Sequence, residues 1–319
     1  MKRIIFYLFA CIVISQAQAQ NNNQERSRIE MQIQTMGALD NFNIATIADT
    51  ITFSFPDKTD KAMAIYYWIA NNIALDPKSV KTNDRKKTDP VSVIQSRKTN
   101  AYGFALLFQE MCSMANIRCL LVNGYTRYNF NDINNAPDEP NHCWNVVQTG
   151  QSPDQWFYVD VAKASGSVDI KYTTFKKNYS SGYFFADRKI FNLDHLPENH
   201  SWMLGLGPKN KTEFYVLPII ESGAYLSGAN TPTPNNGFVK TKTSKAVEFS
   251  FKKKSGTSIN RMLLITKEGN KPEKKEPLIY EEAEGLIKFK YTFKKEETYV
   301  VRINADENDL FTYIVESSD

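Results

Sequence analysis

The sequence predicts an α+β domain followed by an all-β sandwich, and three observations carry that expectation. Apolar residues recur at helical spacing in two segments before residue 116. Short β-rich runs then alternate with polar loops up to residue 161. After Gly207-Pro208 the chain turns into short β-branched and aromatic runs separated by turn residues. At 319 residues, with 42% apolar and 23% charged content, it can bury a core in each of two domains. Disordered, low-complexity and repeat-array classes are excluded.

Taken in order, residues 1–19 read as a secretory signal: Lys2 and Arg3 form the basic start, Ile4 to Ile14 the apolar stretch, and Ala17-Gln18-Ala19 a small-residue cleavage site. The mature chain would begin near Gln20, giving an exported protein, periplasmic or secreted. Cys11 follows a loosely lipobox-like Leu8-Phe9-Ala10. It sits early and is followed by more apolar residues, so a lipid anchor there fits less well than cleavage after Ala19. No other apolar stretch approaches the ~20 residues of a membrane span, so none is expected.

Residues 20–58 are polar at first and then carry a helical pattern around Ile33 to Ile47. Thr59 is a candidate cap for a helix in which Ala62, Ile65, Tyr66, Ile69 and Ile73 share one stripe, ended by Asp76-Pro77. Asp89-Pro90 supplies a cap and a first-turn proline for a short helix through Gln95. From Asn100, which reads as a helix cap, Ala101, Phe104, Ala105, Phe108, Met111, Cys112 and Ala115 form another stripe. Leu106 and Leu107 make the opposite side apolar too, so this helix should be buried on most sides. The runs Arg118 to Tyr125, His142 to Val147 and Trp156 to Val161 then predict an antiparallel sheet, interrupted by a long polar loop at 127–141.

The first domain is placed at 20–208 and the second at 209–319. Strands are expected at Phe214 to Ile220, Phe238 to Lys242, Ala246 to Phe251, Met262 to Thr266, Leu286 to Phe293, Tyr299 to Ile303 and Leu310 to Val315. Strands at that density indicate an immunoglobulin-like sandwich. The lysine-rich runs at 252–254 and 271–276 read as solvated hairpin tips.

The formal charge of +4, which loses two units with Lys2 and Arg3, is too weak and scattered for a nucleic-acid partner. Cys112, Cys119 and Cys143 would survive maturation, an odd number that makes no disulfide framework. With three histidines, and no Cys-x-x-Cys or His-x-x-x-His pair, no metal site is expected. The chain has no Gly-rich phosphate loop, so no cofactor is expected either.

Three segments belong together: R-K-T-N-A-Y-G-F-A-L-L-F at 97–108, N-H-C-W-N-V-V at 141–147 and W-F-Y-V-D at 156–160. If the last two form a hairpin centred on Gln151, positions 142 and 160 lie directly opposite on one face, so that His142 meets Asp160. The order and spacing of the three segments resemble the transglutaminase-like domain, a papain-related Cys-His-Asp fold found in many exported bacterial proteins. K-A-M-A-I-Y-Y-W-I-A-N-N-I at 61–73 and the stretch at 183–202, which contains H-L-P-E-N-H-S-W, look like that family too, so the resemblance covers roughly residues 30–205.

In that family the first segment typically reads R-K-G-x-C-x-G-Y-A, with the cysteine nucleophile opening a buried helix. Alignment on Arg97, Lys98, Gly103, Phe104 and Ala105 puts Ala101 at the cysteine's place. The resemblance implies that His142 is the remnant base and Asp160 its orienting carboxylate. A methyl group has no lone pair with which to attack a carbonyl. The Thr-Trp pair that commonly follows the family's Asp is also replaced here, by Ala162-Lys163.

These features predict a catalytically inactive transglutaminase-like protein whose degenerate cleft binds a peptide or protein segment in the extracytoplasmic space. Asn100, Tyr102, Tyr128, Phe130 and Trp144 are the candidate cleft residues. The alternative is an active amide hydrolase or acyltransferase with a non-standard nucleophile.

Overall fold

The computed structural model describes residues 24–150 and 155–319. The signal-peptide reading, Cys11 and the hairpin tip at Gln151 lie outside the described residues. The helical pattern expected around Ile33 to Ile47 resolves into two helices, 24–36 and Ile44–Thr52. Gly37 and Leu39 separate them at φ 68 and 54, left-handed values that end a right-handed helix. The next helix, Lys58–Asn72, starts two residues earlier than expected. Asp57, not Thr59, is its cap, and its carboxylate accepts from the Thr59 N–H at 2.7 Å. The stripe of this helix is fully buried at Ala62, Ile65, Tyr66 and Ile69.

Asp89 caps the short helix Pro90–Ser96, and Asn100 caps the helix Ala101–Met114. The second of these packs on a four-stranded antiparallel sheet with spatial order Phe157–Val159, His142–Gln148, Arg118–Thr126, His195–Pro197. Gly103 is required where that helix meets the preceding strand. A Cβ there would meet Thr99 Oγ1 at 2.0 Å and Thr99 Cβ at 2.9 Å.

The hairpin register differs from the sequence expectation by two residues: Asn145 pairs with Val159, Val146 with Tyr158 and Val147 with Phe157. A two-residue slip keeps every side chain on its expected face, so the meeting of His142 and Asp160 survives. Asp160 itself lies just past the strand, where it caps the helix Val161–Ser165.

In the C-terminal region the strand expected at Phe214 to Ile220 is replaced by the helix Lys211–Tyr215 and the short strand Ile219–Ile220. Asn210 starts that helix by accepting from the Glu213 N–H at 2.9 Å. The other six expected strands are present, and Asn230–Thr233, Lys274–Pro277 and Glu281–Ala283 add short polar ones. Lysines 274 and 275 therefore lie on an edge strand and not at a hairpin tip. The strands form two sheets. One runs Asn230–Thr233, Ala246–Lys252, Leu286–Thr292, Glu281–Ala283. The other runs Phe238–Lys242, Asn308–Ser318, Glu297–Ala305, Met262–Glu268, Lys274–Pro277, with Ile219–Ile220 added on Asn308–Ser318. Phe249 meets Tyr313 and Phe251 meets Phe311 across the gap, with ring centroids 5.4 and 5.5 Å apart, which is consistent with a β-sandwich.

The two regions share buried surface. Tyr125 and Leu196 of the first pack on Phe214 and Tyr215 of the second. Arg127, 1% exposed, donates to the backbone carbonyls of Phe214, Leu217 and Leu193 and lies over the Phe214 ring. Among the described residues, no helix is long and apolar enough to cross a membrane.

Candidate active site

The site is assembled by three local decisions of the chain. Asn100 adopts extended backbone and turns its side-chain oxygen onto the N–H groups of Tyr102 and Gly103 at 3.1 and 3.3 Å, which starts the helix at Ala101. His142 opens a fully buried strand. Asp160 ends the neighbouring strand, and its Oδ1 accepts from the Lys163 N–H at 2.9 Å. Its second oxygen is therefore turned toward the sheet.

That oxygen, Asp160 Oδ2, lies 2.6 Å from His142 Nε2. It also lies 2.9 Å from His195 Nε2, a contact with no counterpart in the sequence expectation. Both imidazoles present Nε2–H to one carboxylate oxygen, which fixes their tautomers. Burial opposes ionisation of Asp160, but the charge and hydrogen bonds of the two histidines outweigh it and hold the carboxyl well below the usual carboxylate range. Burial is also the leading influence on His195, whose pKa is pushed down to about 4 against the pull of Asp194 and Asp160.

The other ring nitrogen of His142, Nδ1, is 3.0 Å from the Tyr128 hydroxyl, which also reaches the Asn141 carbonyl at 3.1 Å. The phenol shares one proton between two acceptors. Its own pKa is raised well above the ordinary value, by burial first and by the Asp160 charge next, so it stays protonated.

His142, Ala101 and Tyr128 line a cleft of about 310 Å³ whose far wall is the C-terminal region, at Ile219–Ser222 and Glu307–Asp309. Asn100 and Tyr102 line a smaller adjoining recess with Ala101 and His142. Trp144, expected in the cleft, is 1% exposed and packs on Phe191 and His195, so it belongs to the core. Trp144 shares the face of His142, two residues along the strand, and its ring is covered there by Phe191 of the helix Arg188–Asp194. Phe130 sits on a 3-10 turn capped by Asn129 and lines neither recess. The loop at 127–141 is pinned in place. Asp132 accepts from the N–H groups of Tyr128 and Asn129, and Lys211 Nζ holds the carbonyls of Pro137 and Asp138.

Among the described residues, Cys112, Cys119 and Cys143 are buried and free. Burial pushes the Cys143 thiol far up, and the Asp160 charge adds to it, so Cys143 is no thiolate nucleophile. His142, Asp160 and His195 are also the one cluster of potential metal donors among the described residues, with the three donor atoms within 4.8 Å of one another. Their 2.6 and 2.9 Å contacts are N–H···O hydrogen-bond lengths. A tetrahedral zinc shell would space its ligands at about 3.3 Å.

His195, Lys163, Asp194 and Tyr225 have no site role assigned from sequence. Lys163 Nζ holds both Asp194 oxygens at 2.7 and 2.8 Å, and the Tyr225 hydroxyl donates to Asp194 Oδ2 at 2.9 Å. The one available signal was the H-L-P run at 195–197, which carries the family pattern but no role readable from spacing.

A helix N-terminus, an antiparallel strand pair and a buried His-Asp pair thus follow one another along the chain. Residues 45–161 match the model of the transglutaminase-like superfamily, and the chain contains such a domain. It is homologous to the kyphoscoliosis peptidases of Mus musculus and Homo sapiens, each 29% identical over 188 residues, covering 59% of this chain and 28% of theirs. The Lim and transglutaminase domain protein ltd-1 of Caenorhabditis elegans is 23% identical over 193 residues, covering 54% of this chain and 25% of its own length. The match thus spans little more than a quarter of the length of these relatives.

Proposed function

We propose that this chain is an exported transglutaminase-like protein whose cleft binds a peptide or protein segment without processing it. The observation that carries the reading is Ala101. It is the first residue of the helix and lines the cleft beside His142, and the sequence resemblance puts the family's nucleophile at this position, where a methyl group cannot attack. The imidazole nitrogen left free by Asp160 is engaged by a protonated phenol instead of a thiolate. The His142–Asp160 pair is nonetheless intact and 4% or less exposed, which suits a cleft kept for recognition. Export rests on the basic start, apolar stretch and Ala17-Gln18-Ala19 of the first residues.

Two of the homologous proteins are named peptidases, and peptidase chemistry in this chain would need another nucleophile. Tyr128 is the hydroxyl nearest to His142 Nδ1, which makes it the specific candidate for that second reading. Its raised pKa speaks against an attacking phenolate.

The experiment screens the full chain for glutamine–amine crosslinking and peptide hydrolysis, then for binding to an extended-peptide library, with Tyr128→Ala as the cleft variant. The expected result is no turnover, and binding that Tyr128→Ala weakens. Robust turnover by wild type would overturn the reading.

A further inference from the structure

We propose that His195 is a positioning residue of the site, fixing the Asp160 carboxylate on His142, and that Tyr225 of the C-terminal region steadies the far end of this chain through Asp194. The inference rests on the reading that the His142–Asp160 pair is a retained part of the cleft.

A carboxylate held by one imidazole can still turn about its terminal torsion, which has a broad, shallow preference. Asp160 has no such freedom. Oδ1 is tied to the Lys163 N–H at 2.9 Å, while Oδ2 is held at 2.6 Å by His142 and at 2.9 Å by His195. The second imidazole is the third anchor, and it is itself clamped. His195 is 0% exposed, its ring is stacked on Phe191 at 3.7 Å and 6°, and the Trp144 edge meets it at 5.0 Å.

Directing Nε2–H at Asp160 leaves His195 Nδ1 buried without a hydrogen-bond partner. The Asp194 carboxylate lies 3.6 Å from it. A buried acceptor without a donor is unfavourable. A ring placed only for packing would avoid that cost, so its orientation is set by what its other nitrogen does for Asp160. Asp194 would repel the Nδ1 lone pair if it could approach, but Lys163 Nζ grips both its oxygens and the Tyr225 hydroxyl holds Oδ2. Tyr225 lies on the helix Ser222–Ser227, beyond the domain boundary and next to the far wall of the cleft. Docking of the C-terminal region and orientation of His142 are thereby linked through four side chains: Tyr225, Asp194, His195 and Asp160.

The test is imidazole nitrogen NMR on the full chain, where only three histidines contribute signals. Wild type should show His142 and His195 as Nε2–H tautomers with slowly exchanging protons. In His195→Ala the His142 Nε2–H should exchange at least about tenfold faster while the protein stays folded. His195→Gln retains an amide donor for Asp160 and should restore most of the protection, which a merely space-filling role would not do. Tyr225→Phe, which removes one hydroxyl and leaves the fold in place, should speed exchange of the His195 proton about threefold. Unchanged His142 exchange in folded His195→Ala, or His195 signals unmoved by Tyr225→Phe, would overturn the proposal while leaving the cleft reading standing. Absence of a protected His142 Nε2–H in wild type would sink both.

Discussion

The Tyr128 hydroxyl lies 3.0 Å from His142 Nδ1, on the side of the imidazole opposite its 2.6 Å contact with Asp160. A base held by a carboxylate on one nitrogen and faced by a nucleophile on the other is the arrangement of a thiol acyl-transfer site. Here a phenol faces that second nitrogen, and Ala101 contributes only a methyl group to the same cleft.

Removing that phenol oxygen tests its present role. Tyr128→Phe is expected to lower stability by about 1 kcal/mol, because the Asn141 carbonyl and His142 Nδ1 lose their shared donor while the ring and its packing remain. Urea unfolding midpoints at neutral pH report this directly. A variant as stable as wild type would mean that water serves both acceptors equally well.

Acid sensitivity follows from two groups with the same sign. His195 has a folded pKa of about 4 against an ordinary 6.5, so between those values the unfolded chain takes up a proton that the folded ring refuses. Stability is therefore full above pH 6.5 and falls by about 1.4 kcal/mol per pH unit on the way to pH 4. The depressed Asp160 adds a second loss, beginning near its unfolded value of 3.8 and continuing as pH falls toward its folded value. Unfolding measured at steps from pH 8 to 3 should show the first slope in wild type and a flatter one in His195→Gln. Equal slopes in the two proteins would contradict the buried neutral state of His195.

Gly103→Ala should be among the most damaging small substitutions in the chain. The added Cβ would lie within 3.0 Å of Thr99 Oγ1, Cβ and Cγ2 alike, so rotating Thr99 cannot relieve it. A loss of about 2–4 kcal/mol is expected in thermal or urea unfolding. A loss under about 1 kcal/mol would show that the strand Lys98–Thr99 can move away from the helix at little cost.

Residues 20–208 and 209–319, expressed apart, should each fold, with the first fragment less stable than in the whole chain. It would lose the Phe214 and Leu217 carbonyls that hold Arg127, and the apolar cover of Tyr125 and Leu196. Circular dichroism and unfolding of both pieces check this. Aggregation of both fragments beside a soluble full chain would mean that the division at 208 is wrong.

The elements that local chemistry specifies were legible in the sequence. Asp89-Pro90 and Asn100 begin helices where capping rules put them, and six of the strands after residue 230 fall on β-branched and aromatic runs. Misjudgements arose where two local rules competed. Asp57 and Thr59 are both good caps, and the backbone of Asp57 decided between them. Phe214 to Ile220 looks β-prone, but the Asn210 cap converts its first half into a helical turn.

At the site, parity made His142 and Asp160 neighbours even though the assumed register was off by two residues. Trp144 and Phe130 show the limit of composition, because an aromatic suited to a cleft is equally suited to a core or a turn. His195 meets Asp160 across 35 residues of chain, and no periodicity reports a contact of that range.

The most direct measurement of the central claim is alkylation of Ala101→Cys by iodoacetamide across neutral pH, set beside wild type, in which Cys112, Cys119 and Cys143 are buried. A thiol at this helix N-terminus, in the cleft with His142, should carry a depressed pKa and label at least about tenfold faster below pH 7 than an ordinary free cysteine. That result would show a cleft that lacks only its nucleophile. Labelling no faster than that of the wild-type cysteines would contradict the account, since the space around Ala101 would then no longer have the geometry of a site.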